Sequence, residues 1–549
     1  MITAEKADIV IISDAIYTGQ HKDTLDGFVA VKDNTIMAVG DKKDMESVVG
    51  SNTQVFDYTS KFVMPGFFDS HTHVIMAGMY QTHVNLGEAK SEDEAAQMVK
   101  KFAERVPNDP WIIGFNWYHV YWENKKLPTK LSLDKYIKDR PVFLLNAEAH
   151  GAWVNSKALE IAGINRETMD PTYGEIERFE NGDPTGYLYE EALGLIGKYA
   201  LTFSEEKEEK MITKYMEGAS RYGITSVNDM QPYFGMNLGS PDVYKSIEKK
   251  GELTVRVHAA PDLSKDVNEI KQLQEKYNSE KFKITLLKQF VDGVLTTFTA
   301  LLIDEYSDRL GFRGNTLNNI NNLRKWIESA HKEAISVRLH ACGDGAVRAA
   351  LDCFECAIKK FGKNSARHGI EHIEVLHPED INRFKDLGII ASMQPEHLAI
   401  THNFKDNPYT SRLGPERCKY TWPIKTLLRS GAVVAFGSDC PVVDNNPFLE
   451  IYRAVTRVHN DGKPKGGWNQ DEKLTIEEAL HAYTYGSAYG VGRENEIGTI
   501  EEGKLADLIV LDRNLFEIDV EAIRSTEVEM TLMNGEIVFK KLMPVHIGI

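Results

Sequence analysis

Short apolar runs alternate along most of the chain with longer stretches of helical periodicity. This alternation is typical of α/β proteins, in which helices link the strands of a parallel sheet. Between residues 61 and 494 we count eight strand-like runs, the number that closes a (β/α)8 TIM-type barrel. The runs cover residues 62–68, 224–228, 254–258, 284–291, 336–340, 369–374, 389–393 and 433–436.

The two ends of the chain carry short strand-like segments of the same kind. Apolar runs lie near the start at 9–12 and 28–31, and near the end at 507–511, 530–533 and 537–539. Asn534-Gly535 separates the last two runs and is a strong hairpin signal. Neither end has enough strands for a stable core. We therefore expect residues 1–60 and 495–549 to form one small β-sandwich domain.

The count of eight barrel strands requires an insertion after the first strand. Residues from about 76 to 205 contain strand candidates of their own, at 111–113 and 142–145. The loops that follow barrel strands form the active face of such a fold. An inserted subdomain at this point would therefore lie beside the active site.

Composition narrows the class of protein. The chain has 549 residues, of which 42% are hydrophobic and 26% charged, with a formal net charge of −17. These values are typical of a globular enzyme with a small-molecule substrate, and the acidic balance disfavours nucleic acid or an anionic membrane as a partner. No apolar run has the length of a membrane span. Five cysteines in a chain of this length predict no disulfide framework, and a start without signal-peptide character predicts a cytoplasmic protein. The sequence leaves open whether the protein forms a homodimer.

Two histidines follow the first apolar run. His71 and His73 are two positions apart, so on a strand their side chains point to the same face and can share one metal ion. A lone His-x-His pair is weak evidence for a metal. The further candidate ligands lie downstream, each near the end of a different strand.

Four polar residues complete this pattern. Lys288 interrupts the apolar fourth run, which is costly unless the lysine is functional or its ammonium reaches the barrel mouth or an acid. His340, His372 and Asp439 lie at the ends of the fifth, sixth and eighth runs. Because strand ends of a barrel meet at one mouth, these residues are expected to converge.

The order His-x-His, Lys, His, His, Asp on strands one, four, five, six and eight resembles the amidohydrolase superfamily. The chain is most similar to the branch with the N-substituted formamide deformylases and the exoenzyme-regulatory-protein-like hydrolases. Further segments that carry the resemblance are residues 153–156, 182–190, 394–397 and 412–417. The resemblance extends essentially from one end of the chain to the other.

The resemblance implies a site with one or two divalent metals, usually zinc. His71, His73 and Asp439 would hold the more buried metal, and His340 and His372 the second. Lys288, after carboxylation by carbon dioxide, would bridge them. The metals would lower the pKa of bound water and polarise the scissile carbonyl. Asp439 would move a proton from water to the leaving nitrogen, as general base and then general acid.

Three residues are candidates for contact with the substrate. His150 lies in Glu148-Ala149-His150, where this branch commonly has Asp-Gly-His. His397 follows the seventh strand and would face the site. Trp117 belongs to a group of aromatic residues in the insertion that suggests an apolar or aromatic substrate group, although the same residues would equally form the core of the insertion.

These features predict a metal-dependent hydrolase of an amide or other non-peptide C–N bond. A hydrolytic deaminase of the same superfamily is the first alternative. Deaminases of this kind use one metal with an additional glutamate and histidine, and Lys288 argues against that assignment. A non-catalytic relative that binds a small ligand is the second alternative, which the nearly complete ligand set disfavours.

Overall fold

The computed structural model describes residues 5–233, 236–401 and 403–542. The outermost residues of the predicted small domain, 1–4 and 543–549, lie outside these ranges. The α-helices are Val74–Thr82, Glu92–Arg105, Lys130–Asp134, Ser156–Ala162, Gly194–Ala200, Glu205–Arg221, Pro241–Lys249, Val267–Lys276, Ile320–Lys332, Asp344–Phe361, Ile381–Leu387, Tyr409–Arg417, Ile424–Ser430, Pro447–Thr456, Ile476–His481 and Ser487–Gly490. None of the helices in these ranges combines the length and apolar character needed to cross a membrane.

Parallel strands in chain order form the centre of the molecule. A four-stranded and a five-stranded sheet are joined by parallel bridges between Asp262 and Lys288 and between Thr72 and Cys440. The bridges bring the first and last strands side by side, which is consistent with a TIM-type barrel. The strands are Phe67–Thr72, Ile224–Met230, Arg256–Ala260, Phe282–Ile284, Leu286–Phe290, Ser336–Ala341, Gly369–His372, Ile390–Met393 and Val434–Phe436.

The first predicted strand, 62–68, is in fact two strands in different sheets. Phe62–Pro65 pairs antiparallel with Leu508–Leu511 of the terminal sheet, and the barrel strand begins at Phe67. Gly66 separates them, and a Cβ atom there would lie 2.3 Å from the Thr225 side chain. Both segments are fully buried, so one continuous apolar run conceals the change of sheet.

Strands from both ends of the chain are hydrogen-bonded into one eight-stranded sheet. An ion pair between Arg256 of the barrel and Asp507 joins this sheet to the barrel. All eight strands belong to one hydrogen-bonded sheet. That this sheet packs as a β-sandwich stays a prediction. The strands are Ile9–Tyr17, Thr24–Lys32, Thr35–Asp41, Gln54–Asp57, Phe62–Pro65, Leu508–Leu511, Val528–Met533 and Glu536–Lys540.

The segment after the first barrel strand contains a sheet of its own. Its core is aromatic: Trp117 lies between Trp122, Trp153 and Tyr187, with ring centroids 5.6 to 5.9 Å apart. Across the barrel mouth, Pro232–Tyr233 pairs with Met236–Asn237. The strands of the inserted sheet are Val84–Asn85, Ile112–Trp117, Val142–Asn146, Gly151–Val154, Gly174–Arg178 and Pro184–Glu190.

Candidate metal and catalytic site

A cavity opens where the carboxyl ends of the barrel strands meet the inserted subdomain. All six residues predicted as metal ligands line it, together with His150 and His397. The other lining residues are Met76, Glu148, Ala149, Tyr233, Phe290, Val294, Thr296, Cys342, Glu374, Ile400, Tyr409 and Val442.

The first ligand cluster consists of His71, His73 and Asp439. Asp439 Oδ1 lies 3.3 Å from His71 Nε2 and 3.1 Å from His73 Nε2, and the three ligand atoms are close enough to hold one ion. His71 belongs to the first barrel strand, whereas His73 comes just after it, before the helix Val74–Thr82. The two imidazoles converge on one carboxylate, and that they share a metal ion stays a prediction.

The outer nitrogens of both histidines have fixed partners. His71 Nδ1 lies 2.8 Å from Glu371 Oε2, and His73 Nδ1 lies 2.6 Å from the Met230 carbonyl oxygen. Each partner is an acceptor, so each Nδ1 donates a proton to it and each Nε2 faces Asp439. If a metal were bound, each Nε2 would lose its proton and present a lone pair to the ion. Arg338 lies behind Glu371, with its Nε atom 3.7 Å from Glu371 Oε1.

Asp439 has a left-handed backbone conformation with φ 57°, which is rare for a residue other than glycine. Its N–H donates to the His71 carbonyl oxygen at 2.7 Å, and Asp69 accepts from the preceding Ser438 through backbone and hydroxyl. These bonds hold the turn in a conformation that costs energy by itself. Burial opposes ionisation of the Asp439 carboxyl, but His71 and His73 hold its pKa well below the usual range.

The second cluster consists of His340, His372 and Cys342. The rings of His340 and His372 are 4.3 Å apart, and His340 Nε2 donates to the Gly293 carbonyl oxygen at 3.1 Å. His372 Nδ1 lies 3.9 Å from Asp439 Oδ2, so the two clusters adjoin. Burial lowers the pKa of both imidazoles well below its usual value, which keeps them neutral as metal ligands must be.

Lys288 lines the cavity and is fully buried. Within the described ranges, its Nζ atom has no hydrogen-bond partner. Burial lowers the pKa of this amine to about 8, so an unusually large fraction is neutral at physiological pH. A buried lysine without a hydrogen bond is costly, which favours a functional role over a structural one.

Of the three predicted substrate contacts, two lie at the cavity. His150 Nδ1 is 2.6 Å from Glu190 Oε2, and His397 Nε2 is 3.7 Å from Asp439 Oδ2. The prediction for Trp117 is wrong. Its ring is fully buried in the core of the inserted subdomain, and its indole N–H donates to the Leu144 carbonyl oxygen at 3.0 Å. The cavity lining does not include it.

Sequence reasoning missed several polar residues of the site. Glu371 directly precedes His372, and simple strand alternation would place the two on opposite faces. His372 ends the strand with φ 77°, so both side chains reach the site. Cys342 and Glu374 gave no signal beyond their position near a ligand, and Glu148 was noted only as part of the segment Glu148-Ala149-His150.

The donor set fits a divalent metal of the zinc type. Imidazole nitrogens and a carboxylate converge, and the buried atoms His71 Nε2, His372 Nδ1 and His397 Nε2 have no hydrogen-bond partner in the part of the chain that the structure describes. Zinc takes such ligands in tetrahedral or five-coordinate sites. A bound cation would satisfy lone pairs that are otherwise buried at a cost.

Known proteins resemble the chain over nearly its whole length. Putative amidohydrolase YtcJ of Bacillus subtilis is 32% identical over 96% of this chain and 98% of its own. N-substituted formamide deformylase of Arthrobacter pascens is 26% identical over 97% and 98%. The crystal structure of an uncharacterized metal-dependent hydrolase from Pyrococcus horikoshii covers 93% of this chain and 99% of its own, with 27% identity and a TM-score of 0.76.

The sequence profile of the amidohydrolase family matches residues 54–539. This range includes the barrel, the inserted subdomain and the strands of the terminal sheet from Gln54–Asp57 onward, and both ligand clusters lie within it. The chain belongs to the amidohydrolase family.

Proposed function

We propose that this protein hydrolyses a non-peptide C–N bond, of the amide type, in a small molecule. The observation that carries the proposal is the convergence of His71, His73 and Asp439 with His340, His372 and Lys288 in one cavity. Family membership and the metal-dependent hydrolase from Pyrococcus horikoshii support the same reaction class. A cytoplasmic location and a homodimer stay predictions from the sequence.

His71, His73 and Asp439 would hold one zinc ion, and His340 and His372 a second. Bound zinc would supply an activated water and polarise the carbonyl. Lys288 would bridge the ions as a carbamate, which turns a buried cation into an anionic oxygen ligand. Its lowered pKa suits this role, since only the neutral amine reacts with carbon dioxide.

Asp439 would carry the proton. Its lowered pKa keeps the carboxyl ionised, as a base requires, and its Oδ1 atom already lies next to both histidines. It would accept a proton from the attacking water and return it to the nitrogen that leaves as an amine. The C–N bond breaks and a C–O bond forms, giving a carboxylic acid and an amine.

Metal analysis and turnover of purified protein test this function. We expect one to two equivalents of zinc, turnover of at least one N-acyl or N-formyl amine, and loss of turnover on chelation. Asp439→Asn should lower turnover by at least about a hundredfold with the fold retained. Asp444→Asn, the same change at an exposed position of the same loop, is the control.

Two results would contradict the proposal. Protein without metal whose activity survives chelation would end the metal-dependent assignment. A folded Asp439→Asn enzyme within threefold of the parent would end the proton-transfer role. Release of ammonia from an amino-substituted heterocycle, with no amide turned over, would favour the deaminase instead.

A further inference from the structure

The turn that follows the strand Val142–Asn146 of the inserted subdomain faces the barrel mouth. The Ala149 N–H donates to the Asn146 carbonyl oxygen at 3.0 Å, and Ala149 is left-handed with φ 57°. Tyr233, across the mouth, donates its hydroxyl to the Ala149 carbonyl oxygen. These contacts hold Glu148 in the wall of the cavity that the candidate ligands of the barrel also line.

Glu148 is a buried carboxylate with an unsatisfied atom. Only 6% of the residue is exposed, and its Oε2 atom finds no hydrogen-bond partner among the described residues. No described lysine or arginine forms an ion pair with it, and Thr296 is its hydroxyl neighbour. Burial of a carboxylate without a partner is strongly unfavourable, so such a group calls for a ligand.

Glu148 is faced by two carboxylates as well as by His150 and the Thr296 hydroxyl. Glu374 and Glu190 both repel its ionised form, and the nearby His150 is already paired with Glu190. Burial raises the pKa of the Glu148 carboxyl; Glu374 and Glu190 add to this effect, whereas Thr296 and His150 oppose it. A bound cation would relieve the repulsion as well as the missing hydrogen bond.

The remaining lining suits a cationic organic group. Among the described lining residues, Lys288 is the only lysine or arginine, and it is one of the six candidate metal ligands. A substrate carboxylate next to Glu148 and Glu374 would be repelled by both, and the basic neighbour His150 is already paired with Glu190. The aromatic side chains Tyr233 and Tyr409 also line the cavity, and aromatic faces attract cations.

We propose that Glu148 binds a positively charged nitrogen group, an ammonium or guanidinium, on the substrate of this enzyme. This inference rests on the proposed amide hydrolysis and narrows its substrate class to amides whose substituent carries a cation. The contact would be a charge-assisted hydrogen bond from N–H to Glu148 Oε2.

A charge series of matched amides tests the inference. The probes are N-formyl and N-acetyl derivatives of 1,4-diaminobutane, of pentylamine and of 5-aminopentanoate, which are cationic, neutral and anionic at similar length. We expect kcat/KM for the cationic probe to exceed that for the neutral one at least tenfold, with the anionic probe poorest. Glu148→Gln should reduce the cationic-to-neutral ratio at least fivefold, and Glu148→Asp should reduce it less.

Glu88→Gln removes the same charge from an exposed position of the inserted subdomain and should keep the parent ratio. Binding of butylguanidinium to the zinc-loaded protein, measured by calorimetry, gives a readout without turnover. We expect at least tenfold weaker binding to Glu148→Gln than to the parent or to Glu88→Gln. Circular dichroism and zinc content verify that each variant is folded and loaded.

The outcomes separate the two proposals. If no probe of any charge is hydrolysed but butylguanidinium binding depends on Glu148, the proposed reaction fails and the cation site stands. If the probes are hydrolysed without charge preference, or with a ratio that Glu148→Gln leaves unchanged, the cation site is wrong and the hydrolase stands. Equal butylguanidinium binding by parent and Glu148→Gln would likewise overturn the cation site.

Discussion

Glu371→Gln offers a sharp test of how the first metal cluster is built. Glu371 is fully buried between His71, at 2.8 Å, and the Arg338 guanidinium, at 3.7 Å. A glutamine there can keep its oxygen toward only one of them. If the oxygen faces His71, the amide N–H₂ meets the guanidinium, donor against donor. If it faces Arg338, the amide N–H₂ meets His71 Nδ1 and drives the proton onto Nε2, the atom that should bind metal.

The size of the effect follows from these contacts. Loss of an orienting carboxylate behind a metal-bound histidine typically weakens metal binding about 10- to 100-fold, which corresponds to about 1.4 to 2.8 kcal/mol. Loss of one partner of a buried ion pair costs about 3 kcal/mol of unfolding free energy or more, because Arg338 remains buried with its charge. We therefore expect both weaker zinc binding and lower stability.

Competition with a chromophoric chelator measures the zinc affinity, and denaturation of the metal-free protein measures stability. Asp507→Asn is the matched control. It removes the acid of another buried ion pair, Arg256–Asp507, whose Nε and Oδ2 atoms are 2.5 Å apart. This pair lies next to the terminal sheet and includes none of the candidate ligands. It should lose stability and keep its zinc affinity. Zinc binding by Glu371→Gln within threefold of the parent would refute the proposed orientation of His71.

Other perturbations test the bridge and the terminal sheet. Lys288→Ala should lose the second zinc and most activity, and a short-chain carboxylic acid should restore part of both; full activity with an unmodified lysine in the parent would contradict bridging. Because the pKa of Lys288 is about 8, its amine is mostly protonated below that pH and neutral above it. The carbamate signal from ¹³C-bicarbonate should therefore grow from pH 7 to 9 and be absent in Lys288→Ala. Removal of residues from 500 onward should cause unfolding or aggregation, because Phe62–Pro65 loses its partner Leu508–Leu511; an unchanged melting profile of a monomer would refute this.

The sequence alone was sufficient for the family and for the six candidate metal ligands that line the cavity. The spacing of His71 and His73 and the positions of His340, His372 and Asp439 at strand ends are local features, and parallel strands bring their carboxyl ends together in any barrel. The tertiary structure places all of these residues, with Lys288, in one cavity. Because strand-end positions and the barrel topology lead to the same grouping, the members of this site can be predicted from a single sequence.

Other features depended on contacts between residues distant in the chain. The apolar run 62–68 looks like one strand because burial in either sheet leaves the same pattern, and only the pairing of Phe62–Pro65 with Leu508–Leu511 divides it. Trp117 is an aromatic residue of a type common in binding sites, but it lies in the core of the inserted subdomain. The sequence shows which side chains are apolar or ionisable. The contact of Glu371 with His71, and the lack of a hydrogen bond to Glu148 Oε2 among the described residues, arise only when the chain has folded.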